Sequence, residues 1–130
     1  LFIWGGDATY VDKVFAPLRG YDRIRPLPII ESKFNVSYPY MQEMKDLGTQ
    51  IIGTWDDHDY GVNDGGKTFI FRNYTREWYL DFLGEPSDSP RRKQKDSSLF
   101  QDYMIGDAHI ILLDNRWDFD FKTRDRLGDQ

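Results

Sequence analysis

The chain has 130 residues, a formal net charge of −5 and no cysteine. This length fits one domain or part of one. The acidic balance argues against a general nucleic-acid surface, which would be basic. The lack of cysteine excludes disulfides and cysteine-ligated metals. No apolar run reaches the roughly 18 residues that a membrane span needs.

The first half of the chain predicts a β-α-β unit. Residues 1–4 are an apolar run before a Gly-Gly-Asp turn, which predicts a buried strand. Residues 13–38 contain prolines and scattered charges and predict an irregular excursion, with a short helix near residues 11–18. Residues 40–47 carry apolar side chains at i, i+3 and i+6 before a glycine, which predicts an amphipathic helix. A second strand over residues 50–55 completes the crossover.

The second half predicts a helix, a polar loop and a hairpin. The helix covers residues 69–83 and ends at a glycine, and residues 85–98 form a polar, flexible loop. Strands over residues 100–105 and 109–113, joined by Gly106-Asp107, predict a β-hairpin. One apolar face of the helix is expected to consist of Phe71, Tyr74, Trp78, Phe82 and Leu83.

Each of three predicted strands is followed by a turn with charged side chains. Asp7 follows the first strand, Asp56 and Asp57 follow the second, and Asp114-Asn115-Arg116 follows the third. Ligands of such sheets bind beyond the carboxyl ends of the strands. If the three strands run side by side in one direction, the three turns meet at one rim and form a common site.

The densest group of polar side chains lies in residues 53–66, where four Asp, one His and one Asn follow the second strand. Crowded carboxylates repel one another, and a bound cation relieves that repulsion. We interpret Asp57 as a metal ligand and His58 as a proton donor or a clamp on the transition state. A helix N-cap or turn network is the structural alternative. An EF-hand calcium loop is excluded, because Gly61 and Val62 stand where that loop needs a third ligand and a glycine.

The other turns hold further candidates, each with an alternative. Asp7 is a candidate to bridge two cations and Tyr10 to supply a phenol oxygen, while the alternative for Asp7 is a cap on its own turn. Arg116 either holds a phosphate oxygen through its planar guanidinium or ties strand-end carboxylates in a buried salt bridge. The basic run at residues 90–95 is interpreted as a solvated, mobile segment, with guidance of an anionic substrate as the alternative. We interpret His109 as structural.

Two blocks of the sequence together resemble a known enzyme family. Gly-Gly-Asp-Ala-Thr-Tyr at residues 5–10 and Thr-Trp-Asp-Asp-His-Asp-Tyr-Gly-Val-Asn-Asp at residues 54–64 resemble the PhoD-like, or alkaline phosphatase D-like, metallophosphatases. These belong to the calcineurin-like metallophosphoesterase superfamily. Residues 110–116 resemble the later LDxR strand of the family, and residues 125–130 resemble the segment that follows it.

The resemblance implies an α/β fold that is part of a four-layer α/β/β/α sandwich with a metal centre at the sheet edge. It implies that Asp7, Tyr10 and Asp57 bind metal, and it places His58 at the histidine of the superfamily's Gly-Asn-His block. Asp57 stands where the superfamily usually has the Asn, a departure that is similar to the PhoD-like form. The implied cofactors are two or more divalent or trivalent metal ions. The family favours calcium and iron, with manganese or magnesium as alternatives.

The activity expected from these residues is metal-dependent hydrolysis of phosphate monoesters or diesters. The metals polarise the phosphoryl oxygens and supply a hydroxide for in-line attack, and His58 is the catalytic residue. The expected partner is a small phosphate ester bound by Arg116, with no nucleic acid as a specific partner and no membrane span. Two alternatives stay open: a non-catalytic module that keeps the fold and binds calcium or a partner, and a different metal-dependent hydrolase.

Two metal-binding blocks of the superfamily have no counterpart in residues 1–130. One stands upstream of the Gly-Asp block, and the other is a late block that contains His. We therefore expect residues 1–130 to be an internal fragment of a single catalytic domain, with little activity alone. The family is compatible with a secreted, cell-surface or endomembrane-lumenal location.

Overall fold

The protein combines four helices and two small sheets in the part of the chain that its computed structural model describes, residues 1–10, 26–94 and 97–128. The elements are β1 (Phe2–Trp4), α1 (Pro26–Asp46), β2 (Ile51–Gly53), α2 (Asp57–Tyr60), α3 (Arg72–Leu83), α4 (Pro90–Lys93), β3 (Gln101–Ile105) and β4 (Ala108–Leu112). The helix expected near residues 11–18 lies outside the described residues.

The strands pair as two separate two-stranded sheets. β1 and β2 are parallel, with Ile3 opposite Ile52, and α1 lies between them in sequence, which confirms the predicted β-α-β crossover. The predicted burial of β1 was wrong: Phe2 and Ile3 are exposed, and β2 is the one described strand that lies beside β1. β3 and β4 are antiparallel around Gly106-Asp107, which confirms the predicted hairpin. Gly106 has a φ of 60°, which a tight two-residue hairpin turn requires at such a position. The four-layer sandwich implied by the resemblance stays a prediction.

α1 is longer than the sequence predicted, because residues 26–38 are helical and not irregular. Pro26 and Pro28 lie in the first turn of α1. A backbone N–H has no intrahelical partner in a first turn, so the missing N–H of proline costs nothing there. Pro39 inside the helix removes one hydrogen bond, but Phe34 and Met41 on one face are buried where α1 packs on α3. No described helix has the combination of length and apolar character that a bilayer span requires.

α3 ends where the sequence predicted, and Phe82 and Leu83 of the predicted face are buried, but the rest of the buried face is shifted. Gly84 caps it in the left-handed conformation, with a φ of 69°. The predicted Tyr74 is exposed and Trp78 is only partly buried. Arg76 is buried because its guanidinium donates to backbone carbonyls of the following loop. A charged residue on the buried face cannot be predicted from the spacing of apolar residues. The buried residues of the helix are Thr75, Arg76, Tyr79, Leu80, Phe82 and Leu83.

An aromatic core holds the chain segment that follows β2. Trp55 stacks nearly parallel to Trp117, with ring centres 6.4 Å apart, and meets Tyr60 edge-on at 5.0 Å. The hydroxyl of buried Tyr79 donates to the backbone oxygen of Thr54 at 2.7 Å, which ties α3 to the end of β2. The residues between Thr54 and Tyr60 therefore have a fixed position on the core.

The basic segment that the sequence predicted to be solvated and mobile contains a buried arginine. Arg91 on α4 is 1% exposed, and its guanidinium donates to Gly53 O at 2.7 Å and to Leu99 O at 2.6 Å. The prediction was wrong for Arg91 because these buried carbonyls need donors, and Arg91 supplies them from another part of the chain. The segment thus joins the end of β2 to the residues before β3.

Arg91→Leu is expected to lower the free energy of unfolding by about 3 kcal/mol or more, because each buried carbonyl that loses its donor costs about 1–3 kcal/mol. Urea unfolding measures the effect. Lys93→Leu is the matched control, since Lys93 lies on the same helix but is exposed. We expect the control to change the stability by less than about 0.5 kcal/mol. Equal losses in the two variants would show that the Arg91 bonds contribute little.

Candidate metal centre

Two tight turns bring the candidate ligands together. The turn after β1 leads to Asp7, and the turn after β2 leads into α2, which begins with Asp57 and His58. Gly6 has a φ of 113°, and a Cβ at this position would lie 2.8 Å from the Cβ of Asp56. Glycine is therefore needed for the first turn to approach the second so closely.

Gly6→Ala is expected to destabilise the protein by about 1–3 kcal/mol, because alanine is strained in this backbone conformation and its methyl group meets Asp56. Gly5→Ala is the control: a Cβ on Gly5 has no neighbour within 4 Å, and the φ of Gly5 is not positive. Thermal unfolding of both variants measures the difference. Equal stabilities would show that the two turns separate without cost.

The predicted ligands Asp7 and Asp57 meet the predicted catalytic residue His58. Each of the three offers one ligand atom, and these atoms all lie within 4.8 Å of one another. Asp7 is exposed, while Asp57 and His58 are partly buried. The ring of Tyr10 lies beside this group, with its centre 4.3 Å from that of the His58 ring. Ligation by Tyr10 stays a prediction.

The two carboxylates have different electrostatic surroundings. Burial raises the pKa of Asp57, but the backbone N–H of Asp64, which donates to Oδ2 at 2.8 Å, and the charges of Arg116 and His58 outweigh it, so the pKa is lowered. The Asp7 side chain is exposed, but its carboxyl group is partly desolvated, and this raises its pKa. His58 lowers the pKa, whereas repulsion from the neighbouring Asp56 and Asp57 raises it further. A cation between Asp7 and Asp57 would relieve the repulsion.

Asp59 is a residue whose role the sequence analysis missed, since it was grouped with the other acids of the turn. It is fully buried, and its carboxylate accepts from the N–H of Thr9 at 2.6 Å and from the N–H of Asp56 at 3.3 Å. Burial raises the pKa of Asp59 to about 7, although these hydrogen bonds lower it. Asp59 therefore fastens the first turn to the second. Its signal was the spacing of three residues from Asp56, at which a side chain reaches back to the start of a helix.

The third turn reaches the same place from a different sheet. The Thr54 hydroxyl donates to Leu113 O at 3.1 Å, which joins the chain after β2 to the chain after β4. Buried Asp114 accepts from the N–H groups of Arg116 at 2.9 Å and Trp117 at 3.0 Å, which fixes the turn. The three strands do not lie side by side in one sheet, which was the condition set for a common site, because the described strands form two separate sheets. The three turns meet because of contacts between the loops.

Arg116 is buried and ties the second turn to the third. Its Nε donates to Asp56 Oδ1 at 2.5 Å, and its Nη2 lies 3.8 Å from Asp57 Oδ1. These ion pairs match the salt-bridge alternative of the sequence analysis. Its Nη1 is buried and has no hydrogen-bond partner among the described residues. Arg116 therefore keeps one N–H group that suits an oxyanion.

His109 lies apart from this group on the exposed hairpin. Its Nε2 is 2.9 Å from Asp102 Oδ2, and both side chains are about half exposed. The chain has two histidines, and His58 is the one in the centre. This contrast makes His109 a suitable control for experiments on His58.

The donor set of the centre fits a bound metal ion. Carboxylates suit manganese, magnesium and calcium, whereas imidazole suits iron and zinc. Calcium takes oxygen ligands, so a site that uses the imidazole of His58 together with Asp7 and Asp57 favours a transition metal such as iron over calcium. Comparison of the chain with protein-family models, with curated proteins and with solved structures finds no match.

Proposed function

We propose that this chain carries part of the active site of a metal-dependent hydrolase of phosphate monoesters or diesters. The observation that carries the proposal is the approach of Asp7, Asp57 and His58 to within 4.8 Å, beside the buried guanidinium of Arg116. A cation site next to a fixed positive side chain suits an anionic substrate. The resemblance of residues 5–10 and 54–64 to the PhoD-like metallophosphatases supports the same chemistry.

Each residue has a defined part in the proposed reaction. Asp7 and Asp57 hold the metal, which polarises a phosphoryl oxygen when it is bound. The lowered pKa of Asp57 keeps its carboxyl ionised at neutral pH. Arg116 donates its Nη1–H to a phosphate oxygen, while its ion pairs with Asp56 and Asp57 hold the guanidinium in place. His58 protonates the leaving oxygen or stabilises the charge that develops in the transition state.

Hydrolysis assays of the full-length protein with added Mn²⁺, Fe³⁺ or Ca²⁺ test the proposal, because residues 1–130 alone are expected to have little activity. The substrates are p-nitrophenyl phosphate, bis-p-nitrophenyl phosphate, a peptide and a carboxylic ester. We expect cleavage of the phosphate esters alone, and only when metal is present. Uptake of calcium without cleavage of any substrate would contradict the proposal and favour the non-catalytic module. Cleavage of the peptide or the carboxylic ester would indicate a different metal-dependent hydrolase.

A further inference from the structure

A cavity of about 420 Å³ lies between α1 and α3 and shares no residue with the metal centre. Two of the aromatic side chains that line it, Phe34 and Phe82, are buried core residues. Tyr38 and Trp78 also line the cavity and are accessible to solvent. This volume lies within the range of about 300–1,000 Å³ that small-molecule sites occupy. The lining combines these four aromatic side chains with charged and polar ones.

The charged residues of the cavity are mostly acidic. Arg92 is its cationic side chain, and neighbouring carboxylates already engage it. Nη1 of Arg92 donates to Glu77 Oε2 at 3.0 Å, and Nη2 donates to Asp81 Oδ1 at 2.5 Å. The guanidinium therefore has little capacity left for an anionic ligand. The carboxylates that line the cavity are those of Glu31, Asp81 and Glu85.

Glu31 supplies negative charge and has no matching cation among the described residues. Its side chain is exposed on α1, and it forms no ion pair within the described ranges of the chain. The Glu85 carboxylate, in contrast, lies 3.5 Å from the Nη1 of buried Arg91. Glu31 is thus the carboxylate of the cavity that is available to a ligand.

The C-terminal end of α3 borders the cavity, but its negative partial charge already has a cation beside it. Asp81 and Phe82 in its last turn and Gly84 at its C-cap line the cavity. The C-terminal end of a helix carries negative partial charge and attracts cations. The ammonium group of Lys45 already lies against Gly84, where it would be the nearest neighbour of an added Cβ.

We propose that this cavity binds a small organic cation of the alkylammonium class. Aromatic faces attract such cations, and the cation packs its apolar groups against Trp78 and Tyr38. Glu31 balances its charge. The site is independent of the metal centre, so it stands or fails separately from the proposed phosphate-ester hydrolysis.

Titration with choline and with its uncharged carbon isostere, 3,3-dimethylbutan-1-ol, tests this proposal. NMR follows the indole N–H signal of Trp78. We expect choline to saturate the site, to shift this signal and to bind at least about 5-fold more tightly than the isostere, since a cation over aromatic faces is worth that much or more. Equal binding of the two compounds, or no saturable binding of choline, would overturn the proposal.

Variants of the lining residues locate the site. We expect Glu31→Gln to weaken choline binding about 3-fold or more and Trp78→Leu to weaken it about 10-fold. Glu43→Gln is the control, because Glu43 is an exposed acid on the same helix that does not line the cavity. If Glu31→Gln and Glu43→Gln weaken choline binding equally, the effect comes from the net charge of the protein and not from the cavity, and the proposal is overturned. Glu31→Gln changes an exposed side chain and is expected to fold normally. It therefore tests the proposed site even if Trp78→Leu does not fold.

Discussion

Replacing Asp57 with Ala is expected to weaken Mn²⁺ binding at the candidate metal centre by about 100-fold or more. Even a group that only orients a metal ligand is worth about 10- to 100-fold in affinity, and a ligand itself contributes at least as much. Ala removes the negative charge and both carboxylate oxygens. Asn would be a weaker test, because its amide oxygen can still bind a metal ion.

Metal-dependent stabilisation measures this loss without any substrate. A ligand that binds only the folded state stabilises it by about 2.7 kcal/mol at 100 times its dissociation constant. We expect Mn²⁺ to raise the thermal midpoint of the unsubstituted full-length protein and to have no such effect on Asp57→Ala. Asp64→Asn is the control, because Asp64 is exposed and has a positive φ, which Asn tolerates. If Mn²⁺ stabilises all three proteins equally, Asp57 is not a ligand.

The parts of the fold that the sequence predicted well depend on local signals. The strand before Gly5-Gly6, the hairpin at Gly106-Asp107 and the glycine cap at Gly84 each follow from a few neighbouring residues. α1 was missed in part because its prolines argued for irregular chain. The burial of Phe34 and Met41 against α3 favours the helix there. A contact between segments that are distant in sequence cannot be predicted from a local sequence pattern.

The candidate centre was also predicted only where the signals are local. Its chemical groups could be identified from sequence, because Asp7, Asp57 and His58 lie in two compact blocks. The contacts that position these groups could not be identified from sequence, because they join residues that are far apart in the chain. Asp59 and Thr9 are 50 residues apart in sequence, and Arg116 and Asp56 are 60 apart. No short-range pattern pairs such residues, and in each case the need of a buried polar group for a partner determines the pairing.

His58→Ala is expected to lower the turnover of an alkyl phosphate by about 10²- to 10⁴-fold, which is the usual contribution of a positioned general acid or base. His109→Ala is the control, since it removes the other histidine of the chain at an exposed site on the hairpin. We expect it to leave turnover unchanged. An unchanged kcat in His58→Ala would show that His58 has no catalytic role.

The leaving group distinguishes the two roles that the position of His58 allows. A proton donor matters most when the leaving oxygen is basic, so His58→Ala should reduce turnover of an alkyl phosphate far more than that of p-nitrophenyl phosphate, whose leaving group departs without a proton. A metal ligand would instead affect both substrates alike and would lower Mn²⁺ affinity in the same variant. The second pattern would place His58 beside Asp7 and Asp57 as a ligand, in keeping with the 4.8 Å limit that encloses their donor atoms. The proton donor would then have to be another group near the centre, and Tyr10, whose ring centre lies 4.3 Å from that of His58, is a candidate.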